Sequence, residues 1–300
     1  MPSVRAPVRP ISGAWPHAVQ RRLARFFRPD PKVLLDPDAS SEDFRRAMSS
    51  IHVGSTIKIT ERDRHPAADQ LLLDHLDLTG ASIVDIGASD GSTSVDLVRR
   101  LPAFASYTAA DLCLAVSAAR ALRHVVVYDS SGRCILVAGR WWAAWPSLSR
   151  TVRALCWPVE AAAARHPERR EQVLLINPEF RALMNADPRL SVRVHDVFTP
   201  WPDPAPDVIK VANLLRRVYF SDADIDRALD AVFDSLDEGG HLLVVDDGTQ
   251  YTVPVEEDVG ARAGLYRREG DRFTPVAQTP APSEIADLLA KVRKHPRATA

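Results

Sequence analysis

The stretch Ile83-Val84-Asp85-Ile86-Gly87-Ala88-Ser89-Asp90-Gly91-Ser92-Thr93 constrains this chain more than any other. Ala81 to Ile86 is a short apolar run and reads as a buried parallel strand. Two glycines four apart follow it. Ser92-Thr93-Ser94 then offers an N-cap for a helix over Val95 to Leu101. Strand, glycine turn and helix N-terminus in this order make a nucleotide-binding corner.

The residues in the turn bear on which nucleotide. A dinucleotide fingerprint needs G-x-G-x-x-G so that backbone can press against a pyrophosphate. Counted from Gly87, its second and third glycine positions hold Ser89 and Ser92. Asp85 and Asp90 also flank the turn, and carboxylates beside a phosphate are costly. They suit a cationic ligand. An NAD-dependent oxidoreductase remains the alternative on the same corner.

With its acid, any residue, glycine, three residues, glycine pattern at Asp85, Gly87 and Gly91, the segment resembles motif I of the class I S-adenosylmethionine-dependent methyltransferases. The order of segments downstream resembles that family too. Ala105 to Leu112 reads as a second strand, with Asp111 at its end. Leu190 to Phe198 alternates and closes on His195-Asp196-Val197-Phe198. Asp207 to Leu215 reads as a central strand running into Asn213. Ser221 caps a helix to Leu236, Glu238-Gly239-Gly240 stops it, and His241 to Val245 is apolar. Gly264 to Arg268 and Arg272 to Ala277 flank Glu269-Gly270-Asp271 as a closing hairpin. Asn213-Leu214-Leu215 with Tyr219-Phe220 is also similar to chemotaxis receptor methyltransferases.

The resemblance implies an α/β, Rossmann-like, doubly wound fold. Its sheet is seven-stranded and mostly parallel, with a terminal antiparallel hairpin and an inserted hairpin/helix subdomain. It implies S-adenosylmethionine as cofactor, bound by Asp85, Gly87, Ala88, Ser89, Gly91, Asp111, Asp196, Val197 and Asn213. Asp85, directly or through water, and the Asn213 carbonyl would serve the methionine ammonium, Asp111 the ribose and Asp196 the adenine. The implied reaction is O- or N-methylation of a small-molecule or peptide nucleophile. His65, His195, His241 and Tyr219 are candidate bases, and none is singled out. Arg64-His65-Pro66 could help close the cofactor pocket. A non-catalytic protein that binds the same cofactor is the second reading.

Between Asp111 and Asp196 lie 84 residues where the family has a single helix. Val125 to Tyr128 and Cys134 to Val137 flank Asp129-Ser130-Ser131-Gly132-Arg133 as a hairpin. Trp141, Trp142, Trp145 and Trp157 follow, with a helix from Ser147 to Arg165 broken at Pro158. Gln172 to Pro178 reads as another strand, so Asn177 rivals Asp111 as the end of the ribose-binding strand. The expected domains are an N-terminal extension (1–62), a methyltransferase domain (63–112 and 173–300) and an insertion (113–172).

The first 29 residues contain six arginines and no acid, with a short helix over His17 to Phe27. A formal net charge of -1 gives no general reason to expect nucleic acid or an acidic membrane as a partner. Three scattered cysteines make zinc and disulfides unexpected and suggest a cytoplasmic compartment. No run is long enough to span a bilayer. Few lysines among many arginines, alanines and prolines suggest a bacterial source. The Trp-rich insertion or the N-terminal extension is the expected surface for any homodimer.

Overall fold

The computed structural model describes residues 6–53, 56–57, 65–246 and 262–292. The chain begins with β1 (Val8–Pro10), α1 (His17–Arg22), α2 (Ser41–Met48), β2 (His52–Val53) and β3 (Thr56–Ile57). Then come α3 (Pro66–His75), β4 (Ser82–Ile86), α4 (Ser92–Val98) and β5 (Ser106–Asp111). A run of strands follows: β6 (Ala115–Ala121), β7 (His124–Tyr128), β8 (Cys134–Ala138) and β9 (Trp142–Ala144). Next are α5 (Arg150–Ala164), β10 (Glu171–Leu174), α6 (Pro178–Ala186), β11 (Leu190–Val194) and β12 (Val208–Ala212). The chain closes with α7 (Asp222–Ser235), β13 (His241–Asp246), β14 (Arg262–Glu269), β15 (Arg272–Gln278) and α8 (Ala286–Leu289).

These elements form two compact units, residues 1–60 with 113–178, and residues 61–112 with 179–300. The second unit holds a seven-stranded sheet in the order β11-β5-β4-β12-β13-β14-β15. Its first five strands are parallel, and β14 and β15 run antiparallel at one end. The Rossmann-like α/β fold is therefore present. Strand alternation gives the sheet two different faces. Val84 and Ile86 lie in register with Ile209 and Val211, and all four pack with Leu242, Val244 and the Ile225, Leu229 and Val232 face of α7. Ser221 caps that helix by accepting from the Asp224 amide at 3.2 Å.

The opposite face carries buried charge. Lys210 lies in register with Asp85, is fully buried, and pairs with Asp69 of α3 at 2.7 Å. Burial alone would lower the Lys210 pKa, but the Asp69 and Asp85 carboxylates outweigh it and hold the pKa above the usual value. A charged lysine inside a sheet persists only when paired in this way.

The first unit corrects the expected domains. The extension and the insertion build one six-stranded sheet, β1-β9-β8-β7-β6-β10. Ile11, Leu34, Phe44, Met48 and Ile51 cover one face, against Val116, Val125, Leu136 and Trp145. Val152, Cys156 and Ala163 of α5 cover the other, against Val126, Tyr128 and Val137. Neither segment can bury both sides of this sheet alone, so 1–62 and 113–172 are not separate bodies. The second boundary also moves, because β10 pairs antiparallel with β6 rather than joining the parallel sheet.

Local expectations change as well. The helix of the corner begins at Ser92, and its N-cap is Gly91 at φ 77° rather than a serine. Pro158 does not break α5. It is an exposed residue inside a continuous helix. The expected helix to Phe27 ends at Arg22 and is followed by a 3₁₀ turn over Ala24–Phe26.

Candidate functional site

The parallel strands present their carboxyl ends along one edge, and chain order reverses between β4 and β12. Such a reversal opens a crevice at the strand ends, where α/β sheets bind ligands. The loop after β4 enters it with three left-handed residues, Gly87 (φ 83°), Ser89 (φ 58°) and Gly91 (φ 77°). The Gly87 and Ala88 amides donate to the Ala110 carbonyl at 2.8 and 3.1 Å, which leans the loop onto β5. The Ser89 amide donates to Asp111 Oδ2 at 3.0 Å.

Both glycines sit in close packing. A Cβ on Gly87 would stand 3.0 Å from Leu214 Cδ2, and one on Gly91 would stand 3.1 Å from the Phe180 ring. Positive φ adds strain for any other residue at either position.

The two flanking acids are turned inward. Asp85 is 1% exposed, and its Oδ2 accepts from Ser94 Oγ and Tyr107 Oη, both at 2.8 Å. Burial and the Asp85 charge push the Tyr107 pKa well up, so that phenol stays protonated and donating. Asp90 is fully buried and accepts from the Ser92 amide and Ser92 Oγ, both at 2.9 Å. These carboxylates fasten the loop from behind. Direct contact between Asp85 and an ammonium group does not fit this placement.

The acids that reach the edge are Asp111 and Asp196, both half-buried. Asp111 ends β5, the strand beside β4, and this settles the rivalry with Asn177 over which strand lies next to the corner. Asn177 lies in the first unit, where its side-chain amide donates to the Ser41 carbonyl at 3.2 Å. The Asp111 carbonyl accepts from the His195 amide at 3.2 Å, bringing the end of β11 alongside. Asp196 accepts from the Phe198 amide through Oδ1 at 3.1 Å, and its carbonyl accepts from the Thr199 amide at 2.9 Å. Val197 packs its side chain into the core, so only its backbone faces outward chemistry.

Asn213 follows β12 at φ 54°, and its amide donates to the Val245 carbonyl at 2.8 Å. Its Nδ2 lies 3.2 Å from His65 Nε2. The amide nitrogen donates there, so Nε2 accepts. Among the candidate bases, His65 has its ring hydrogen-bonded to a residue of this corner. His195 is buried edge-on to Trp201 at 4.9 Å, and burial lowers its pKa against the pull of Asp196. His241 begins β13 in register with Val208, at the far end of the strands. Tyr219 is half-buried and sits in the turn after Leu215, its amide donating to the Arg216 carbonyl at 2.9 Å. Arg64 lies outside the described residues.

Sequence reasoning missed Asp246 at the carboxyl end of β13. It is 2% exposed and its Oδ2 accepts from the Glu284 amide at 2.7 Å. Burial raises its pKa to about 6 against that amide bond, and the Glu284 charge adds to the rise. The paired acids after Val244-Val245 were the only available signal, and burial is invisible in them.

The residues present fit S-adenosylmethionine at its adenosine end. Ser89 Oγ is buried beside Asp111 and has no hydrogen-bond partner among the described residues. Asp111 and Asp196 supply acceptors, and Ser89 and Ser92 stand where a pyrophosphate-binding turn has its second and third glycines. Among the described residues no group of three His, Cys, Asp or Glu is arranged to hold a metal ion.

No protein-family model and no curated sequence matches the chain. Solved structures do match. The mitomycin 7-O-methyltransferase MmcR aligns with 75% of this chain and 44% of its own, at 20% identity and a TM-score of 0.33. The N-methyltransferase NodS from Bradyrhizobium japonicum WM9, solved with S-adenosyl-l-homocysteine, aligns with 61% of this chain and 63% of its own, at 16% identity and a TM-score of 0.31. The [4+2]-cyclase SpnF aligns with 60% of this chain and 44% of its own, at 17% identity and a TM-score of 0.30. The chain spans less than two thirds of the length of each of these structures. The second unit has a Rossmann-like α/β fold, and methyltransferases recur among the solved structures that the chain resembles.

Proposed function

We propose that the chain is an S-adenosylmethionine-dependent methyltransferase acting on an oxygen or nitrogen nucleophile of a small molecule or peptide. The observation that carries this reading is the meeting of Ser89, Asp111, Asp196 and Asn213 at the switch point of the sheet. It brings together acceptors and a partnerless hydroxyl beside a turn that lacks the dinucleotide glycines.

Asp111 accepts from the ribose hydroxyls through the carboxylate that also steadies the Ser89 amide. Asp196 accepts from the adenine amino group, and Ser89 Oγ gains its missing partner in the same ligand. The Asn213 carbonyl serves the ammonium end, with the side chain oriented by His65. The cofactor supplies a methyl group already activated on a sulfonium. The protein's part is then to align the nucleophile in line and exclude water. His65 Nε2 is engaged with Asn213 Nδ2, so His65 positions Asn213. An amine reaching the site unprotonated needs no base from the protein.

A non-catalytic cofactor-binding protein is the second reading. The burial of His65 and its engagement with Asn213 favour it. Transfer of labelled methyl from S-adenosylmethionine to amine, phenol, carboxylate and peptide panels separates the two. Label in any acceptor supports the enzyme. Cofactor binding with no transfer across all panels supports the second reading.

A further inference from the structure

Helix α3 meets strand β12 and its end at two polar points. Lys210 Nζ donates to Asp69 Oδ1 at 2.7 Å, and Asn213 Nδ2 donates to His65 Nε2 at 3.2 Å. His65 is the N-cap of α3, and its carbonyl accepts from the Asp69 amide at 2.9 Å. One helical turn therefore separates His65 from Asp69. Their partners lie close in sequence too, Lys210 within β12 and Asn213 just past its end.

The apolar packing of α3 is thin. Its buried residues are Ala68, Asp69 and Leu72. One leucine beside an alanine tolerates a helix that slides or rotates in its groove. The ion pair does not. Lys210 is fully buried and Asp69 is 3% exposed, so any shift of α3 that parts them leaves the Asp69 carboxylate uncompensated in the core. Burial pushes the Asp69 pKa up even against the pull of Lys210, a sign of how little water reaches the pair. A buried ion pair stabilises little compared with apolar residues of the same size, and fixing register is its best-attested use.

We infer that Asp69 and Lys210 are positioning residues for the methionine arm of the cofactor. Their ion pair sets the register of α3 on β12, and that register brings His65 to Asn213. Asn213 has φ 54°, a conformation that a residue with a side chain keeps only when its surroundings fix it. The His65 bond and the bond to the Val245 carbonyl fix it here, and with it the direction of the Asn213 carbonyl. This rests on the proposed function, in which that carbonyl serves the ammonium group. Neither Asp69 nor Lys210 touches the ligand. The adenosine end is held from β5 and β11 and does not depend on α3, so the signature of the role is a selective loss at the methionine end.

Calorimetry with S-adenosylhomocysteine and with methylthioadenosine, which lacks the amino-acid arm, tests this. The parent should bind the first more tightly. Asp69→Leu with Lys210→Met puts an apolar contact in place of the pair. It should weaken S-adenosylhomocysteine about tenfold and leave methylthioadenosine within about twofold of the parent. Asp69→Glu keeps the charge pair and should keep the parent's preference. If the double variant does not fold, Asp69→Asn decides alone, because Lys210 still has the Asp85 charge nearby. Its selective loss should be at least about threefold. Equal weakening of both ligands marks a merely structural pair and overturns the proposal. Unchanged affinities overturn it too, as do a parent that binds the two ligands equally and a loss in Asp69→Glu equal to that of the double variant. A parent that binds neither ligand fails the proposed function itself, and the positioning falls with it.

Discussion

The backbone amide of Ser89 donates to the carboxylate of Asp111 at 3.0 Å, so one side chain at the end of β5 both shapes the glycine loop and stands at the ligand edge. Asp111→Ala should therefore weaken S-adenosylhomocysteine binding by about 1.5–3 kcal/mol, through lost bonds to a charged acceptor. Asn177→Ala should leave affinity nearly unchanged, since Asn177 hydrogen-bonds within the other unit. Calorimetric titration of both variants checks this. Greater damage from the Asn177 change would contradict it.

Gly91→Ala should destabilise the fold by about 1–3 kcal/mol, because it adds positive-φ strain to a clash with the Phe180 ring. Thermal or urea unfolding of the purified variant measures the loss. A variant as stable as its parent would mean that the loop tolerates a side chain there.

Lys210→Met should cost about 3–5 kcal/mol, because it leaves Asp69 and Asp85 buried without their cation. Joining it to Asp69→Leu should recover part of that loss. Urea midpoints of the single and double variants give the comparison. A harmless single substitution would show that the buried charge is not held by this pair.

Asp246 gives a pH signature. Its folded pKa of about 6 stands above the ordinary aspartate value of 3.8, so the folded state binds this proton more tightly than the unfolded chain does. Its contribution is full below about pH 4 and is lost as pH rises through about 6, on the order of 3 kcal/mol. Asp246→Asn keeps an acceptor for the Glu284 amide and removes the titration. The stability difference between variant and parent should then shift toward the variant across pH 4 to 6. A constant difference would rule out a raised pKa.

The corner from Ile83 to Thr93 is legible in the sequence because a strand, a positive-φ turn and a helix start each leave a local mark there. The seven-stranded sheet is legible for the same reason, as each strand is apolar and bounded by turn residues. The first unit is not. Val8 pairs with Ala144 across the chain, and strands of three residues leave no periodic trace. Ala115–Ala121 is alanine-rich and becomes a strand only through pairing with β7 and β10, which override its helix propensity. Tryptophan content does not predict tryptophan placement either. Trp145 is core and donates to the Ser50 carbonyl at 2.8 Å, whereas Trp157 stands in the open. The sequence places Asp85 and Asp90 beside the turn but does not show that both are buried there.

Calorimetry with S-adenosylhomocysteine and with NAD, run on the same protein, tests the central claim most directly. The Ser89, Asp111, Asp196 and Asn213 edge offers acceptors to an adenosine, and the turn lacks the second and third glycines that bring backbone against a pyrophosphate. The predicted result is saturable, one-to-one binding of S-adenosylhomocysteine that Asp111→Ala weakens, with no heat from NAD. Saturable NAD binding with no response to S-adenosylhomocysteine would contradict the account.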